Sequence, residues 1–315
     1  MIVTVTANPS LDRTVTLAGP LRVGEVQSAR EVREDAGGKG INVTRVVVGS
    51  QHASVAVLPL DADDPFAVAL RAAEVPVVAV PLAGNARANL TIVDGEGVTT
   101  KVNLPGVTRD TADGAALIAA AVEASGGAQW LVLAGSLPPG LPTDFYVEVI
   151  QAVRAAHANP PQIAVDTSGP ALRAVVERGA PDLIKPNDEE LVELAGIPLD
   201  PGLALCDAVV AVAAGLVPAK VGAAFVTLGG DGAVLVTASG AWFGTPPPTR
   251  VRSTVGAGDS SLAGFLLAHE DGADPEECVR TGIRYGSAAA SLPGTQAPTP
   301  ADFLPGDVPV RSLTP

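Results

Sequence analysis

The stretch Trp130-Leu131-Val132-Leu133-Ala134, closed by Gly135, is five apolar residues in succession with no polar alternation. A strand with one wet face alternates, so an unbroken run of this length bounded by glycine reads as a strand buried on both faces. The same kind of run recurs at 3–6, 163–166, 183–185 and 224–228. Around these runs lie longer alanine-rich amphipathic stretches, which predict helices over about 39–51, 65–73, 110–125, 143–157, 188–195, 203–218, 258–269 and 275–292. Strand and helix in alternation imply an α/β fold, with a mainly parallel sheet and helices on both sides.

Two segments break that rhythm. Residues 13–35 and 85–104 alternate apolar with polar (Val15 and Leu17; Leu90 and Ile92; Val98, Val102 and Leu104) and lack a helical period, so they are expected to form a separate small sheet, a lid over one end of the main one. The core then takes 1–12, 36–84 and 105–315. Gly229-Gly230-Asp231-Gly232 between two apolar runs reads as a tight hairpin, and the proline-rich tail 293–315 as irregular.

Composition narrows the function. The 315 residues are 47% hydrophobic with a formal net charge of −14, a globular composition without the basic stripe that duplex nucleic acid demands. Cys206 and Cys278 stand far apart without metal spacing, and the start MIVTVTANPSLDR lacks a signal pattern. No apolar run reaches the ~18 residues of a membrane span. A cytoplasmic protein with neither nucleic-acid nor membrane partner is expected. His52, His157 and His269 are scattered, so chemistry that depends on histidine is not expected.

Three segments carry chemistry. Ser253-Thr254-Val255-Gly256-Ala257-Gly258-Asp259-Ser260 precedes an amphipathic run. Glycines before a helix leave backbone N–H groups open at its positive end, which suits an anion; equally, the segment fits a tight turn with Asp259 as a capping carboxylate. No G-x4-G-K-[ST] loop is present. Asp35-Ala36-Gly37-Gly38-Lys39-Gly40-Ile41-Asn42 opens the first helix. There Asn42 is placed to hydrogen-bond a hydroxyl, and Lys39 is one of only four lysines among twenty basic residues. Lys185-Pro186-Asn187-Asp188-Glu189-Glu190 follows a strand. Asn187 and Glu190 share a helix face and suit a hydrated Mg²⁺, or else form a capping box.

Together with 6–12, 43–46, 135–140, Asp166-Thr167-Ser168-Gly169 and 227–232, these segments stand in the order and spacing of the PfkB carbohydrate kinases, which the chain resembles over residues 1–295, most closely in their phosphosugar branch. The resemblance implies a ribokinase-like three-layer α/β/α sandwich with a small β-sheet lid, often the dimer interface in that family. It implies phosphoryl transfer from ATP, with Mg²⁺, to a ketohexose phosphate. By the same resemblance Asp259 is the catalytic base, and Gly256, Ala257 and Gly258 form the anion hole. Asp12, Gly37, Gly38, Lys39 and Asn42 face the sugar. Lys185, Asn187, Thr227, Gly229 and Gly232 face the nucleotide, with Asn187 and Glu190 on magnesium through water. A carboxylate at a helix N-terminus is expected to be a weak base.

The acceptor turns on a second anion pocket. Phosphosugar members carry T-R-x-N in the lid; here Arg87 and Asn89 stand in that place, with Ala86 where the threonine would be, and Ser136 is the matching hydroxyl. Lys101 stands where members acting on fructose 1-phosphate usually have an acid, which resembles the fructose 6-phosphate branch. Gly37-Gly38-Lys39-Gly40 and 135–140 resemble the fructose 1-phosphate branch, so D-fructose 1-phosphate is the acceptor expected. Fructose 6-phosphate and tagatose 6-phosphate are the alternatives, and a non-catalytic sugar-phosphate-binding regulator is the alternative of another class.

Overall fold

The unbroken apolar runs do form strands with both faces covered. The computed structural model describes residues 1–313. In chain order the strands are β1 (Ile2–Val5), β2 (Ser10–Leu17), β3 (Ala29–Gly37), β4 (Ser54–Pro59), β5 (Val77–Val80), β6 (Arg87–Val93), β7 (Thr99–Asn103), β8 (Trp130–Ala134), β9 (Gln162–Asp166), β10 (Leu183–Ile184), β11 (Ala223–Thr227), β12 (Ala233–Thr237), β13 (Gly240–Gly244) and β14 (Val310–Ser312). The helices are α1 (Lys39–Gly49), α2 (Phe66–Ala72), α3 (Thr111–Ala124), α4 (Phe145–Ala156), α5 (Gly169–Arg178), α6 (Asp188–Ala195), α7 (Leu205–Ala213), α8 (Ala257–Glu270) and α9 (Pro275–Ser291).

Ten strands form one sheet in the order β14-β13-β12-β11-β10-β9-β8-β1-β4-β5. From β11 to β5 the neighbours pair parallel; β12, β13 and β14 continue the sheet antiparallel. On one face Leu117 of α3, Phe145 and Ile150 of α4, Val175 of α5 and Val209 of α7 pack against Leu131, Leu133, Ile163 and Val226. On the other, Val43 and Val47 of α1, Leu262 and Leu266 of α8 and Val279 of α9 pack against Ile2, Val132 and Phe225. Alternate residues of one strand thus serve opposite cores, which is why the runs show no polar positions. Four strands form the small sheet in the order β3-β2-β6-β7, and β2 pairs parallel with β6 while its other neighbour and β7 run antiparallel.

The structure departs from the sequence reading at several points, among them strands β4, β5 and β13, which the sequence reading does not include. Helix α5 was not anticipated, because Gly169-Pro170 reads as a breaker; proline in the first turn instead starts the helix, where its missing N–H costs nothing. Helix α7 stops at Ala213, short of the expected 218. The tail is not wholly irregular, since β14 pairs with β13; residues 314 and 315 of that tail lie outside the described residues. The small sheet begins at Ser10 and β3 runs to Gly37, because the two are paired there in register, so Asp12 belongs to it. The hairpin at 229–232 is present as a tight turn between β11 and β12.

Helices α8 and α9 approach closely through glycines. A side chain on Gly282 would meet Phe225 at 2.9 Å and the Ser261 carbonyl at 3.0 Å, and one on Gly264 would meet the Thr281 carbonyl at 2.8 Å. Gly282→Ala therefore forces α9 off α8 and is expected to destabilise the fold by ~1–3 kcal/mol. Equilibrium urea unfolding measures it, and an unchanged midpoint would show that the packing has slack.

Candidate functional site

The order of the parallel strands turns at β1, which has β8 on one side and β4 on the other. Ligands of open α/β sheets bind at such a switch, beyond the carboxyl ends of the strands. Here the ends of β1, β8, β10 and β11 and the starts of α1, α6 and α8 surround a cleft of about 1010 Å³. Gly38 starts α1 at φ 127° and Gly256 starts α8 at φ 78°, and neither helix has a side-chain cap. Both backbone angles favour glycine, and the first turns, without side-chain caps, leave N–H groups open at the cleft, Ala257 excepted, which donates to the Thr254 carbonyl.

Asp259 stands in the first turn of α8 and is almost fully buried. It caps nothing: its Oδ2 accepts a hydrogen bond of 2.8 Å from Asn42 Nδ2, 217 residues away. The reading of Asp259 as a capping carboxylate is thereby set aside. Asn42, expected to offer its amide to a hydroxyl, gives one of its two N–H groups to Asp259 and keeps a buried Oδ1 without a partner. Burial and the nearby charge of Asp166 push the Asp259 carboxyl up to about 6, against the pull of Lys39, Asn42 and Lys185. Burial and the like charge of Asp166 thus set Asp259 above an ordinary aspartate, in the direction opposite to the pull expected of a helix N-terminus.

Lys39 Nζ lies 2.6 Å and Lys185 Nζ 3.2 Å from the two oxygens of Asp166, which is wholly buried at the end of β9. Burial opposes the Lys39 charge, but Asp166 and Asp259 more than offset it and hold its pKa above the usual lysine value. Burial likewise opposes the Asp166 charge, yet Lys185 and Lys39 keep its carboxyl below the ordinary range. Lys185 passes against the start of α8, so that a Cβ on Gly258 would stand 3.3 Å from its Nζ.

One half of the cleft lies under the small sheet. Asp12 Oδ1 accepts from Ser10 Oγ at 2.8 Å and from Asn89 Nδ2 at 2.9 Å. Burial raises the Asp12 carboxyl in spite of these donors and of Arg87. Arg87 donates to the Leu104 carbonyl and has a buried Nε without a partner. Asn8 donates to the Pro105 carbonyl and, at 3.4 Å, to Ser136 Oγ. In the other half Asn187 and Glu190 form a reciprocal capping box, Asn187 Oδ1 accepting from Glu190 N–H and Glu190 Oε2 from Asn187 N–H. Thr227 pairs with Asn187 in a parallel bridge, and Gly229 and Gly232 line the same half.

The cleft thus gathers Asp12, Gly38, Lys39, Asn42, Arg87, Asn89, Ser136, Lys185, Asn187, Glu190, Thr227, Gly229, Gly232 and 256–259. Gly37 and Lys101 do not line it. Gly37 lies directly against the Asp12 carboxylate, where a Cβ has no room, so its part is to let Asp12 settle. Lys101 is exposed on β7 opposite Thr91. Sequence reasoning missed Asn8, the 246–249 loop, and Ile283, Ser287 and Ala290 of α9, all of which line the cleft. The last three recur at helical spacing, a signal legible only once the facing side of α9 is known. The three histidines stay away: His269 packs edge-on to Trp130, His157 meets the Val122 carbonyl and His52 lies near Glu270.

Residues 5–302 match the sequence model of the pfkB family of carbohydrate kinases. The chain belongs to that family. It is 34% identical to the 1-phosphofructokinase of Rhodobacter capsulatus, over all of this chain and 98% of that protein. To the ATP-dependent 6-phosphofructokinase isozyme 2 of Escherichia coli K12 it is also 34% identical, over 94% of each. The crystal structure of Escherichia coli phosphofructokinase-2 in complex with substrates and products superposes with a TM-score of 0.86, at 31% identity over 96% of each chain. The kinase has a ribokinase-like α/β fold, and its family is one of phosphotransferases that use ATP. Among the described residues no helix is long and apolar enough to cross a membrane.

The raised Asp259 carboxyl has a consequence for stability. A group that holds its proton more tightly when folded adds stability below its unfolded pKa, near 3.8, and that stability is lost as pH rises through about 6. Asp259→Asn should therefore unfold at a higher temperature than the parent at pH 8, with the gap closing by pH 4. Thermal midpoints at pH 4, 6 and 8 test this, and a gap independent of pH would contradict it.

Proposed function

We propose that the kinase transfers the terminal phosphoryl group of ATP to D-fructose 1-phosphate, giving fructose 1,6-bisphosphate, with Asp259 as the base. The observation that carries this reading is the position of Asp259. It lies at the open N-terminus of α8, beside Lys39 and Lys185, between a half-cleft bearing Arg87, Ser136 and Asp12 and a half-cleft bearing Asn187, Thr227 and Gly229.

Phosphoryl transfer passes through a loose transition state, so catalysis is alignment plus neutralisation of charge on the equatorial oxygens. In the first turn of α8 the Gly258 and Asp259 amides are left open and are suited to that charge, while Ala257 N–H turns back to the Thr254 carbonyl. Lys185, threaded past Gly258, adds a point charge at the same place. Asp259, lifted to about 6, remains ionised at neutral pH and is a better proton acceptor than an ordinary aspartate. On the acceptor side Asp12, held by Ser10 and Asn89, is placed to accept from a sugar hydroxyl. The guanidinium of Arg87 suits a phosphate, with Ser136 as a further donor.

A divalent cation fits the donor half. Asn187, Glu190 and the neighbouring acids Asp188 and Glu189 offer hard oxygen ligands, and the capping box engages only one oxygen of Glu190. Among the described residues no group of three His, Cys, Asp or Glu forms a metal cage. This suits Mg²⁺, which keeps its waters and is shared between one or two carboxylates and the nucleotide. When bound it neutralises phosphate charge; Asn187 and Glu190 would hold it through water.

The buried free cysteines are in keeping with a cytoplasmic setting. Val23, Val26, Val32, Val98 and Val102 of the small sheet and its loops are exposed, which supports a homodimer through that sheet. Fructose 6-phosphate is the second acceptor to weigh, favoured by the 34% identity to a 6-phosphofructokinase. The regulator reading loses ground because the base and the metal-side residues are all in place.

ADP release with fructose 1-phosphate, fructose 6-phosphate and tagatose 6-phosphate tests the assignment. Fructose 1-phosphate should give the highest kcat/KM, and no release with any of them would favour the regulator. Asp259→Asn should keep the fold and lose on the order of 10² to 10⁴ in turnover. Near-normal turnover in that variant would remove Asp259 from the chemistry.

A further inference from the structure

Asp166 lines no part of the cleft. It is wholly buried at the carboxyl end of β9, yet two cations from two other elements converge on it. Lys39, from the first turn of α1, meets Oδ1 at 2.6 Å, and Lys185, following β10, meets Oδ2 at 3.2 Å. Each carboxylate oxygen therefore has one ammonium at ion-pair distance, and the one at Oδ1 is also hydrogen-bonded. A lone buried carboxylate is strongly disfavoured, and so is a lone enclosed lysine such as Lys185, which is 4% exposed, so Asp166 and Lys185 need each other, and the part-exposed Lys39 adds a second cation to the carboxylate. Lysine side chains are long and otherwise free to choose among many rotamers. With one end fixed on Asp166, both ammoniums wait at the level of the anion hole before any ligand arrives, and Lys185 is held against Gly258. Preorganised charge of this kind needs no rearrangement at the moment of reaction.

We propose that Asp166 is a positioning residue for phosphoryl transfer, holding Lys39 and Lys185 beside Asp259 so that turnover, rather than substrate binding, depends on its charge. The proposal rests on the kinase reading above. A second effect of the same carboxylate runs in the same direction. The charged and polar groups that face Asp259 are Lys39 and Asn42 from α1, Lys185 after β10 and Asp166 from β9, and among these Asp166 alone raises its proton affinity. The negative charge of Asp166 thus sharpens the base while it anchors the cations.

The experiment compares Asp166→Asn and Asp166→Glu with the parent, using ADP release at saturating and limiting substrates from pH 5 to 9. In Asp166→Asn, kcat should fall by on the order of 10²-fold, with KM for ATP and for the sugar phosphate within about threefold. Its acid limb in kcat/KM should move to lower pH, because a like charge beside Asp259 has gone. Asp166→Glu restores the charge at a displaced position, so it should keep the acid limb of the parent and still lose turnover. Should Asp166→Asn fail to fold, Asp166→Glu alone decides, since parental kcat in that variant would mean placement is immaterial. Parental kcat in Asp166→Asn, or a loss carried by KM alone, would overturn the proposal while leaving the kinase reading intact. A parent that releases no ADP with any sugar phosphate would overturn both.

Discussion

A parallel sheet covered on both faces leaves polar side chains nowhere to go but the strand ends, and the site follows from that constraint. Ser136 follows β8, Asp166 ends β9, Lys185 follows β10 and Thr227 ends β11. Those four strands are consecutive neighbours in the sheet, so residues up to 91 apart in the chain come to stand in a row along one edge. The covering helices complete the row from the other side. Both α1 and α8 pack on the same face, and their glycine starts reach the edge at the level where Asn42 meets Asp259.

Charge at the centre is balanced before any ligand arrives. Asp166 and Asp259 stand against Lys39 and Lys185, and the imbalance within the group falls on Asp259, the member that burial lifts most clearly. The whole chain carries −14, so an anionic substrate is repelled at long range at low ionic strength. Within about a Debye length, ~8 Å at physiological salt, only the local cations count. Arg87, Lys39 and Lys185 supply them in a cleft cut into an acidic protein.

The sequence made the architecture legible where local pattern and burial agree. Unbroken runs such as 130–134 announce a two-sided core, and alternation in 85–104 announces a sheet with a wet face. Legibility failed where a single local signal has two meanings. Gly169-Pro170 is both a breaker and a helix start, and only the chain that follows decides between them. At the site, the glycine loops and the residues flanking them were readable, because backbone approach to a ligand demands those residue types. Pair contacts were not. Nothing local links Asn42 to Asp259 or Lys39 to Asp166, contacts that span 217 and 127 residues. The same blindness hid that Asn42 also donates to Asp259, and that burial lifts the Asp259 carboxyl. Lys101 drew attention by standing where an acid is usual, yet on β7 it is exposed and lies outside the cleft.

The uncapped starts of α1 and α8 matter beyond catalysis. Open helix-start amides with adjoining ammoniums suit charge and tetrahedral oxygen geometry in general, not a particular sugar or nucleotide. Sulfate and inorganic phosphate meet the same criteria, so on the proposed function buffers containing them would compete with the reactants for their own seats. An assay that swaps chloride for sulfate at constant ionic strength changes the occupancy of the enzyme, and apparent salt sensitivity then reports ion identity as much as screening.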